Sequence, residues 1–401
     1  MITPSYSPTA TERVLPRMAL DFTTASLDSR VTVTRALNTA TRVNSSGVIE
    51  TVNADLPRFD YTLGSGGACK GLLIEEARTN SLTGVNLVNP TSTAQWITFG
   101  DAAGVFSVVD DTTALTSAGL FGLCSSGKVF KIDNSAGTTS FYARFNSTIT
   151  IGSATWTYSG YVRGSGAITF QNNSGTWSGT TSPAVSNVYQ RLTSTGVGAV
   201  SPTNFRIEAS AGSVLYFILL QAEEGAFVTS AIPNTGSSVT RNADAVSMTG
   251  TNFSDWYNAT EGTLQVIGSM NTASTSIFQT FAMIGDANNS LQIFNNLSAS
   301  RFRGDIYSGG SIQKAFTYTA AGAPASGTTY NIIVGLKAND FAMAINGNTV
   351  ATANSGLMPV SPSALYIGSV NIGIQQIGGY IRKLAYYNQK LTNAEIQAFS
   401  K

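Results

Sequence analysis

The stretch FAMAING at residues 341–347 decides the fold class of this chain. Its large apolar residues alternate with alanines, as the residues of a half-buried β-strand do. Asn346-Gly347 follows at once, and this dipeptide is a strong hairpin signal because both residues tolerate a positive φ. Residues 349–353 are therefore predicted to form the returning strand.

The sequence around this hairpin contains more strands and one closing helix. Thr392 is placed as the N-cap of a helix, with Glu395 at the third helical position, which is the pattern of a capping box. Leu391 and Ile396 are spaced to form the hydrophobic staple across it. A helix of about two turns is predicted here. Further strands are predicted at residues 264–270, 365–368 and 380–387.

The order of these elements resembles the laminin-G / concanavalin-A-like lectin family. The resemblance rests on GTLQV at 262–266, the hairpin at 341–347, LYIG at 365–368, GYIRKLAYYN at 379–388 and LTNAEI at 391–396. It implies a two-sheet jelly roll, a fold often used to bind sugars at loops or on a concave face.

Three polar residues at the ends of predicted strands are candidate glycan ligands. Asn339, Asp340 and Asn346 carry amide and carboxylate groups that can bond sugar hydroxyls. The alternative is that they only form hairpin turns, which favour the same residue types. A loop with Asp286, Asn288 and Asn289 is a weak calcium candidate, and turn chemistry explains it equally well.

The middle of the chain is also predicted to be all-β. Residues 156–162 and 205–209 alternate, and residues 214–220 form a continuous apolar run typical of a strand covered on both faces. The tail QAEEGAFVTSAIP at 221–233 follows that run. Together with VYQRL at 188–192, these segments resemble a galactose-binding-like jelly roll of the carbohydrate-binding-module type.

Trp177 is the aromatic candidate for sugar binding in the middle block. It lies in the turn-rich stretch NNSGTWSG at residues 172–179, where an exposed indole could stack on a sugar ring. Asn172 and Asn173 would then bond the hydroxyls. The alternative is a loop tryptophan folded back over a sheet edge. The other tryptophans are predicted in the core or at a domain seam: Trp96, Trp156 and Trp256.

The first 85 residues follow neither jelly-roll pattern. PRFDY at 57–61 and GLLIEEARTN at 71–80 resemble the connector of bacteriophage virion proteins such as tail fibres and head spikes or fibres. This resemblance implies a surface protein of a phage particle. The irregular segment could hardly hold a core alone, so we expect it to pack against sister chains or a virion platform. Its arginines are Arg17, Arg30, Arg35, Arg42 and Arg58.

The composition narrows the classes of function. The chain of 401 residues has no histidine, and charged residues make up 11% of it. Histidine is the usual general base and a common metal ligand, so its absence favours a protein that binds over one that reacts. The net charge of +1 gives little support to nucleic-acid binding. Neither a membrane span nor a signal peptide is predicted.

The acidic and cysteine residues do not predict a catalytic or metal site. Each acidic pair consists of adjacent residues, and on a strand these point to opposite faces, whereas a glycosidase needs two facing carboxyl groups. The pairs are Glu75-Glu76, Asp110-Asp111 and Glu223-Glu224. Cys69 and Cys124 are far apart in sequence and are predicted to be isolated thiols.

These observations predict an all-β chain with two tandem antiparallel jelly-roll sandwiches and a short C-terminal helix. The expected parts are an attachment or oligomerisation segment (1–85), a carbohydrate-binding-module-type jelly roll (86–235) and a lectin-like jelly roll (236–401). The expected function is non-enzymatic adhesion to host surface glycans from the virion surface, as a homotrimer contacting other virion proteins, without a cofactor. Two alternatives remain open: a purely architectural decoration or baseplate protein, and a capsule depolymerase.

Overall fold

The computed structural model describes residues 14–150, 154–172, 177, 179–197, 203–272, 278–296, 301–319, 321–371 and 374–401. Antiparallel strands dominate these residues, which also contain three short α-helices. The predicted all-β class with jelly-roll sandwiches is confirmed. None of the helices in this part of the chain is long and apolar enough to cross a membrane.

The elements follow one another in three groups along the chain. The first group is β1 (Met18–Asp21), β2 (Thr32–Thr34), β3 (Ala40–Val43), β4 (Ile49–Val52), β5 (Phe59–Thr62), β6 (Gly66–Ile74) and β7 (Arg78–Asn80). The second is β8 (Trp96–Gly100), β9 (Val105–Asp110), α1 (Thr112–Ser117), β10 (Lys128–Asp133), β11 (Phe141–Phe145), β12 (Thr155–Ser165), β13 (Ile168–Asn172), β14 (Gln190–Val197), β15 (Phe205–Ala209) and β16 (Val214–Glu224). The third is β17 (Val239–Arg241), β18 (Ala245–Thr249), α2 (Thr251–Ser254), β19 (Glu261–Met270), β20 (Gln279–Gly285), β21 (Ser290–Asn296), β22 (Arg301–Ser308), β23 (Ser311–Tyr318), β24 (Thr329–Lys337), β25 (Phe341–Ile345), β26 (Ala351–Ala353), β27 (Ala364–Ile367), β28 (Gly379–Tyr387) and α3 (Asn393–Phe399).

The C-terminal sandwich consists of two facing sheets around the largest apolar core. One sheet has the order β26-β25-β24-β19-β28-β6-β5, with β1 also paired to β28. The other has the order β2-β18-β27-β20-β21-β22-β23. Leu264, Phe341 and Ile381 from the first sheet share this core with Ile284 and Ile306 from the second.

The first segment is part of this sandwich. β1, β5 and β6 extend one of its sheets, and β2 forms an edge of the other. Phe59, Leu72 and Ile74 are buried in the common core. The pairing of strands therefore does not follow the predicted boundary at residue 85. Most of the segment's buried residues share the core of the C-terminal sandwich, while Ile49 packs in a cluster with the middle block.

Several of the segment's arginines form ion pairs within the chain. Arg35 and Arg58 are buried, and both form ion pairs with Asp244. The expectation that the segment packs against sister chains or a virion platform rests on its lack of a core of its own. Within this chain its strands already pack on the C-terminal sandwich, and the carboxylates that pair with Arg35 and Arg58 lie in the chain itself. Arg30 and Arg42 form local pairs near the surface with Asp28 and Glu50.

The middle sandwich packs a five-stranded sheet, β14-β12-β16-β10-β9, against a four-stranded sheet, β13-β15-β11-β8. Aromatic rings fill its core, and Trp96 contacts Phe130, Phe145 and Phe217 edge-on. The predicted two-sided burial of the apolar run in β16 holds for residues 217–220, whereas Val214 and Tyr216 are half-buried. Phe217 faces this aromatic core, while Ile218 faces a second cluster formed with α1 and its neighbouring loops.

The FAMAING hairpin is present, with two differences from its prediction. β25 and β26 are antiparallel, but their pairing begins only at Met343 and Ala351, so the connection is longer than two residues. In addition, every residue of β25 is buried. Ala342 and Ala344 face a small cluster with Ile396 of α3. The alanines are small because a helix packs on that face.

The predicted end of the chain is confirmed in detail. The Thr392 hydroxyl accepts a hydrogen bond from the backbone N–H of Glu395, and the Glu395 carboxylate accepts one from the backbone N–H of Thr392. Leu391 and Ile396 are both buried in the same cluster. The capping box and the hydrophobic staple therefore start α3. Cys69 and Cys124 are buried free thiols, as predicted.

Candidate functional site

Trp177 folds back over the middle sandwich. Its ring stacks on Tyr158 with 4.5 Å between the centroids, and its Nε1 donates a hydrogen bond to Ser194 Oγ at 2.8 Å. Asn172 is fully buried at the end of β13, where it accepts a hydrogen bond from the Tyr158 hydroxyl. Asn173 lies outside the described residues. The structure thus places Trp177 as in the alternative interpretation, over a sheet edge.

The three polar candidates of the C-terminal sandwich do not converge. Asn339 adopts a left-handed φ of 60° and exchanges backbone and side-chain hydrogen bonds with Gly356 at 2.9 and 3.1 Å. Asp340 pairs with Lys390 at 3.0 Å. Asn346, also left-handed, accepts a hydrogen bond from the backbone of β24 at 2.8 Å. Asn339 and Asp340 precede β25 and Asn346 follows it, so roughly 20 Å of strand separates them.

The calcium candidate loop is held by its own turn. Asp286 Oδ1 accepts hydrogen bonds from the backbone N–H groups of Asn288 and Asn289 at 2.8 and 2.9 Å. Asn289 Oδ1 accepts two more, from Gly309 and Val360. These oxygens stabilise backbone turns, as the alternative interpretation proposed, and no cluster of three or more acidic or cysteine ligands occurs among the described residues.

A different surface collects the groups that could bind a ligand: the outer face of the four-stranded sheet in the middle sandwich. Residues on this sheet alternate between core and surface, so the surface residues of neighbouring strands form rows. We call this surface the arginine–aromatic face. Its first row is Phe99, Tyr142, Glu208 and Thr169, and its second row is Ile97, Arg144, Arg206 and Gln171.

An aromatic pair forms one side of the face. Phe99 and Tyr142 are directly paired on neighbouring strands, and their rings stack with 5.0 Å between centroids and an angle of 12° between the planes. Phe99 is 37% exposed, although it is a large apolar residue. The pair therefore leaves aromatic surface, chiefly that of Phe99, open to solvent on the edge strand β8.

Glu208 is fixed at the centre of the face by three donors. Its Oε1 accepts hydrogen bonds from Ser140 Oγ at 2.7 Å and from the Tyr142 hydroxyl at 3.3 Å. Its Oε2 accepts one from Gln171 Nε2 at 2.7 Å. This network orients the Tyr142 hydroxyl and the Gln171 amide. Polar groups that are held in place before binding lose little conformational entropy when a ligand arrives.

Two arginines complete the face. Arg144 and Arg206 are Cα partners on β11 and β15, so two positive charges face each other across the strands. The Arg206 guanidinium lies over the Tyr142 ring at 4.7 Å, which is a cation–π distance. In the described part of the chain neither arginine forms an ion pair. The Nε atoms of both are buried and make no hydrogen bond.

The opposite face of the same sandwich carries a stacked arginine, Arg163, whose charge is balanced by a carboxylate. Arg163 lies over the ring of Tyr216 at 3.9 Å, much as Arg206 lies over Tyr142. Its Nε, however, donates to the Asp111 carboxylate at 2.7 Å. The two faces are thus similar in their arginine–tyrosine stacking. They differ in that Arg163 is paired with a carboxylate, whereas Arg144 and Arg206 form no ion pair within the described residues.

No protein-family model matches the sequence, and no curated protein matches it. Among solved structures, the Ruminococcus gnavus IT-sialidase CBM40 is 12% identical, over 36% of this chain and 84% of its own, with a TM-score of 0.31. A botulinum neurotoxin serotype D binding domain is 10% identical, over 39% of this chain and 40% of its own, with a TM-score of 0.32. A SAP-like pentraxin from Limulus polyphemus is 12% identical, over 36% of this chain and 70% of its own, with a TM-score of 0.28. At this level of similarity none of them assigns a function to the chain.

The adjacent acidic pairs are engaged in internal contacts. Glu75 forms ion pairs with Arg58 and Arg241. Glu223 is buried, and its carboxylate accepts hydrogen bonds from the backbone and the hydroxyl of Thr229. Burial raises the pKa of Glu223 above the usual range, against the effect of nearby positive charge. The third pair contributes Asp111 to Arg163, as described above. These carboxylates stabilise the fold in the contacts that the structure shows.

A cleft of about 670 Å³ beside the middle sandwich is less suited to a ligand than the arginine–aromatic face. Arg78 covers the Phe227 ring there at 5.0 Å and is itself paired with Glu76 at 2.8 Å. Trp156, also in its wall, is 4% exposed. Unlike Arg144 and Arg206, the arginine of this cleft is thus already paired with a carboxylate.

Sequence reasoning missed the arginine–aromatic face, although part of its signal was visible. The alternation in residues 205–209 was recognised through its buried residues, and the outward residues Arg206 and Glu208 were not considered. The stretch FYARF at 141–145 has the same pattern, with Tyr142 and Arg144 outward. The sequence pattern does not predict that β11 pairs with β15. This pairing places Arg144 directly opposite Arg206.

Proposed function

We propose that this chain is a non-enzymatic surface protein of a bacteriophage particle, a fibre, spike or decoration protein that adheres to host glycans. The observation that carries the glycan-binding part is the stacked pair Phe99–Tyr142, exposed beside the oriented polar groups of Gln171 and Glu208. The apolar C–H face of a sugar ring stacks on such an aromatic surface, and its hydroxyls bond to the neighbouring amide and carboxylate.

A single face of this size binds weakly, so the proposal includes several copies. Even two aromatic rings gain only about 0.5–1.5 kcal/mol from stacking beyond the area that they bury, which sets the scale for a sugar ring on one aromatic ring. Linking several such faces in one particle raises the overall avidity by about 10²–10⁴ without any new contact. A homotrimer displayed on a virion would supply this multiplicity.

The virion location rests on sequence resemblance. The connector-like segments at residues 57–61 and 71–80 are similar in sequence to the connector of phage tail fibres and head fibres. In the fold, these residues lie in and around β5 and β6, which are strands of the C-terminal sandwich. We propose that the protein is made in the host cytoplasm and ends on the particle surface. The lack of histidine supports a role in binding.

The test is binding of the full-length chain to an array of bacterial capsular and lipopolysaccharide glycans. We expect binding to a subset of them, and a loss of about tenfold or more in the double variant Phe99→Ala, Tyr142→Ala. Tyr216→Ala, on the opposite face of the same sandwich, is the matched control and should bind as the parent does. Thermal melting of all the variants checks that they are folded.

Three outcomes would contradict the proposal. A silent array, together with clear contact to capsid or tail proteins, would favour a purely architectural role. Equal loss of binding in the double variant and in the Tyr216 control would remove this face as the site. Robust release of reducing ends from host capsule would overturn the non-enzymatic part of the proposal.

A further inference from the structure

We propose that the arginine–aromatic face selects acidic glycans, with Arg144 and Arg206 together holding a carboxylate of the sugar. This inference rests on the proposed function and names the class of its ligand. It begins with the fact that the two arginines are directly opposite each other on β11 and β15. Like charges in that position destabilise a sheet, unless something of opposite charge lies between them.

The described residues do not supply that opposite charge. Within the described residues no carboxylate pairs with either arginine, and neither guanidinium donates a hydrogen bond. The acidic residue on the face is Glu208, whose oxygens accept hydrogen bonds from Ser140, Tyr142 and Gln171 and from neither arginine. The face therefore carries two positively charged arginines and one carboxylate, and that carboxylate accepts its hydrogen bonds from other residues.

The arginines are also held in an arrangement that suits an oxyanion. Arg206 lies over Tyr142 at 4.7 Å, with Phe99 at 5.9 Å, so its planar group is fixed by stacking. The Nε atoms of Arg144 and Arg206 are buried, which keeps both side chains close to the sheet. A guanidinium presents its N–H groups as a planar fork that matches a carboxylate in two parallel hydrogen bonds.

The spacing links this anion site to the aromatic pair. Arg144 is two residues from Tyr142 on β11, which places the two rows about 7 Å apart along the strands. A sugar ring stacked on Phe99 and Tyr142 would therefore carry a ring substituent to the arginine row. A neutral sugar would leave both guanidinium groups without a partner, and an acidic one would satisfy them.

The size of the face favours a glycan over a protein as the occupant. Four strands span about 14 Å, and the two rows are about 7 Å apart. A stable protein interface buries about 800 Å² on each partner, which is several times the area of such a patch. The charge of the arginines requires an anion, and the patch has the dimensions of a short oligosaccharide. An acidic protein segment is the other outcome that the test must detect.

The experiment compares acidic glycans with their carboxyl-reduced forms on one array, using the full-length chain at low and at physiological salt. The array carries uronic-acid-containing and neutral bacterial polysaccharides, a carboxyl-reduced version of each acidic one, and sulfated neutral polysaccharides. We expect acidic glycans to bind about tenfold or more tightly than their reduced forms. Arg144→Gln and Arg206→Gln should remove that preference and leave a weaker binding that is equal for both forms.

The controls separate this inference from the proposed function. Arg163→Gln changes a stacked arginine on the opposite face and should leave the preference intact. Equal binding of acidic and reduced glycans, still lost in the Phe99→Ala, Tyr142→Ala variant, would overturn the anion site and leave glycan binding standing. Binding to sulfated and carboxylated glycans alike would overturn only the carboxylate assignment. A silent array, with an acidic virion protein captured through Arg144 and Arg206, would contradict both.

Discussion

Arg58 and Asp244, which are 186 residues apart in the sequence, form an ion pair that is sealed from solvent. The other edge of the Arg58 guanidinium contacts Glu75 at 2.7 Å, and Arg35 and Arg241 complete the cluster from either side. Ser230, at the end of the middle block, donates to Glu75 as well. One buried group of charges thus joins all three parts of the chain.

Replacing Arg58 by methionine should destabilise the protein by about 3–5 kcal/mol, because Asp244 and Glu75 would each lose a buried counter-charge. Urea unfolding followed by tryptophan fluorescence measures this change. Arg30→Gln is the matched control, since its pair with Asp28 is partly exposed and should contribute at most about 1 kcal/mol. Similar small effects for the two variants would show that the buried cluster is not a main source of stability.

Glu75 should make the free energy of unfolding depend on pH in the acid range. Burial alone would raise the pKa of its carboxyl, but the charges of Arg241 and Arg58 outweigh that effect and lower the pKa to about 2. A carboxyl whose pKa is lower in the folded state than in the unfolded state stabilises the fold. The full stabilisation is present when the pH is above the ordinary pKa of about 4.5, and it disappears as the pH falls toward 2. The shift corresponds to about 3 kcal/mol.

The measurement is the unfolding free energy between pH 6 and pH 2.5 for the parent and for Glu75→Gln. The difference between the two proteins should shrink as the pH falls through that range. Glu50→Gln removes a carboxylate from a pair near the surface with Arg42, and should stay within about 1 kcal/mol of the parent throughout. A difference between parent and Glu75→Gln that is constant with pH would contradict the expected titration.

Trp177 should matter for stability and not directly for glycan binding. Its stacking on Tyr158 and its hydrogen bond to Ser194 would both be lost in Trp177→Ala, which we expect to cost about 2 kcal/mol or more. Trp177→Phe keeps the stacking and should cost about 1 kcal/mol. Thermal melts and the glycan array measure the two properties separately. An alanine variant of parental stability that no longer binds would instead support the exposed-indole hypothesis.

The capping box of α3 should contribute measurably to the C-terminal end. Thr392→Ala removes the side-chain acceptor for the Glu395 N–H and should cost about 1 kcal/mol, whereas Thr392→Ser keeps it and should be close to neutral. Hydrogen exchange of the α3 amides is the direct readout. Exchange rates that are unchanged in the alanine variant would mean that packing of Ile396 alone holds the helix.

The elements that the sequence predicted well are those whose cause is local. The alternation of residues 205–209 and the α3 capping box depend on residues a few positions apart, so their geometry follows from spacing alone. Residues 156–162, also predicted to alternate, are instead buried on both faces. The candidate ligands were predicted less well. Trp177 and Asn346 have residue types that suit both a binding site and a turn or an edge, and only their neighbours in the fold distinguish the two.

By itself, the sequence determined the all-β class, the closing helix and the scarcity of proton-transfer groups, because composition and short-range periodicity carry that information. Only the tertiary structure decided that β1, β5 and β6 belong to the C-terminal sandwich and that Arg144 faces Arg206. Which strands pair across long stretches of chain depends on how whole apolar faces fit together in a common core. The sequence pattern along one strand does not specify how the faces fit together. The candidate site exists only because of that fit, which places β11 beside β15.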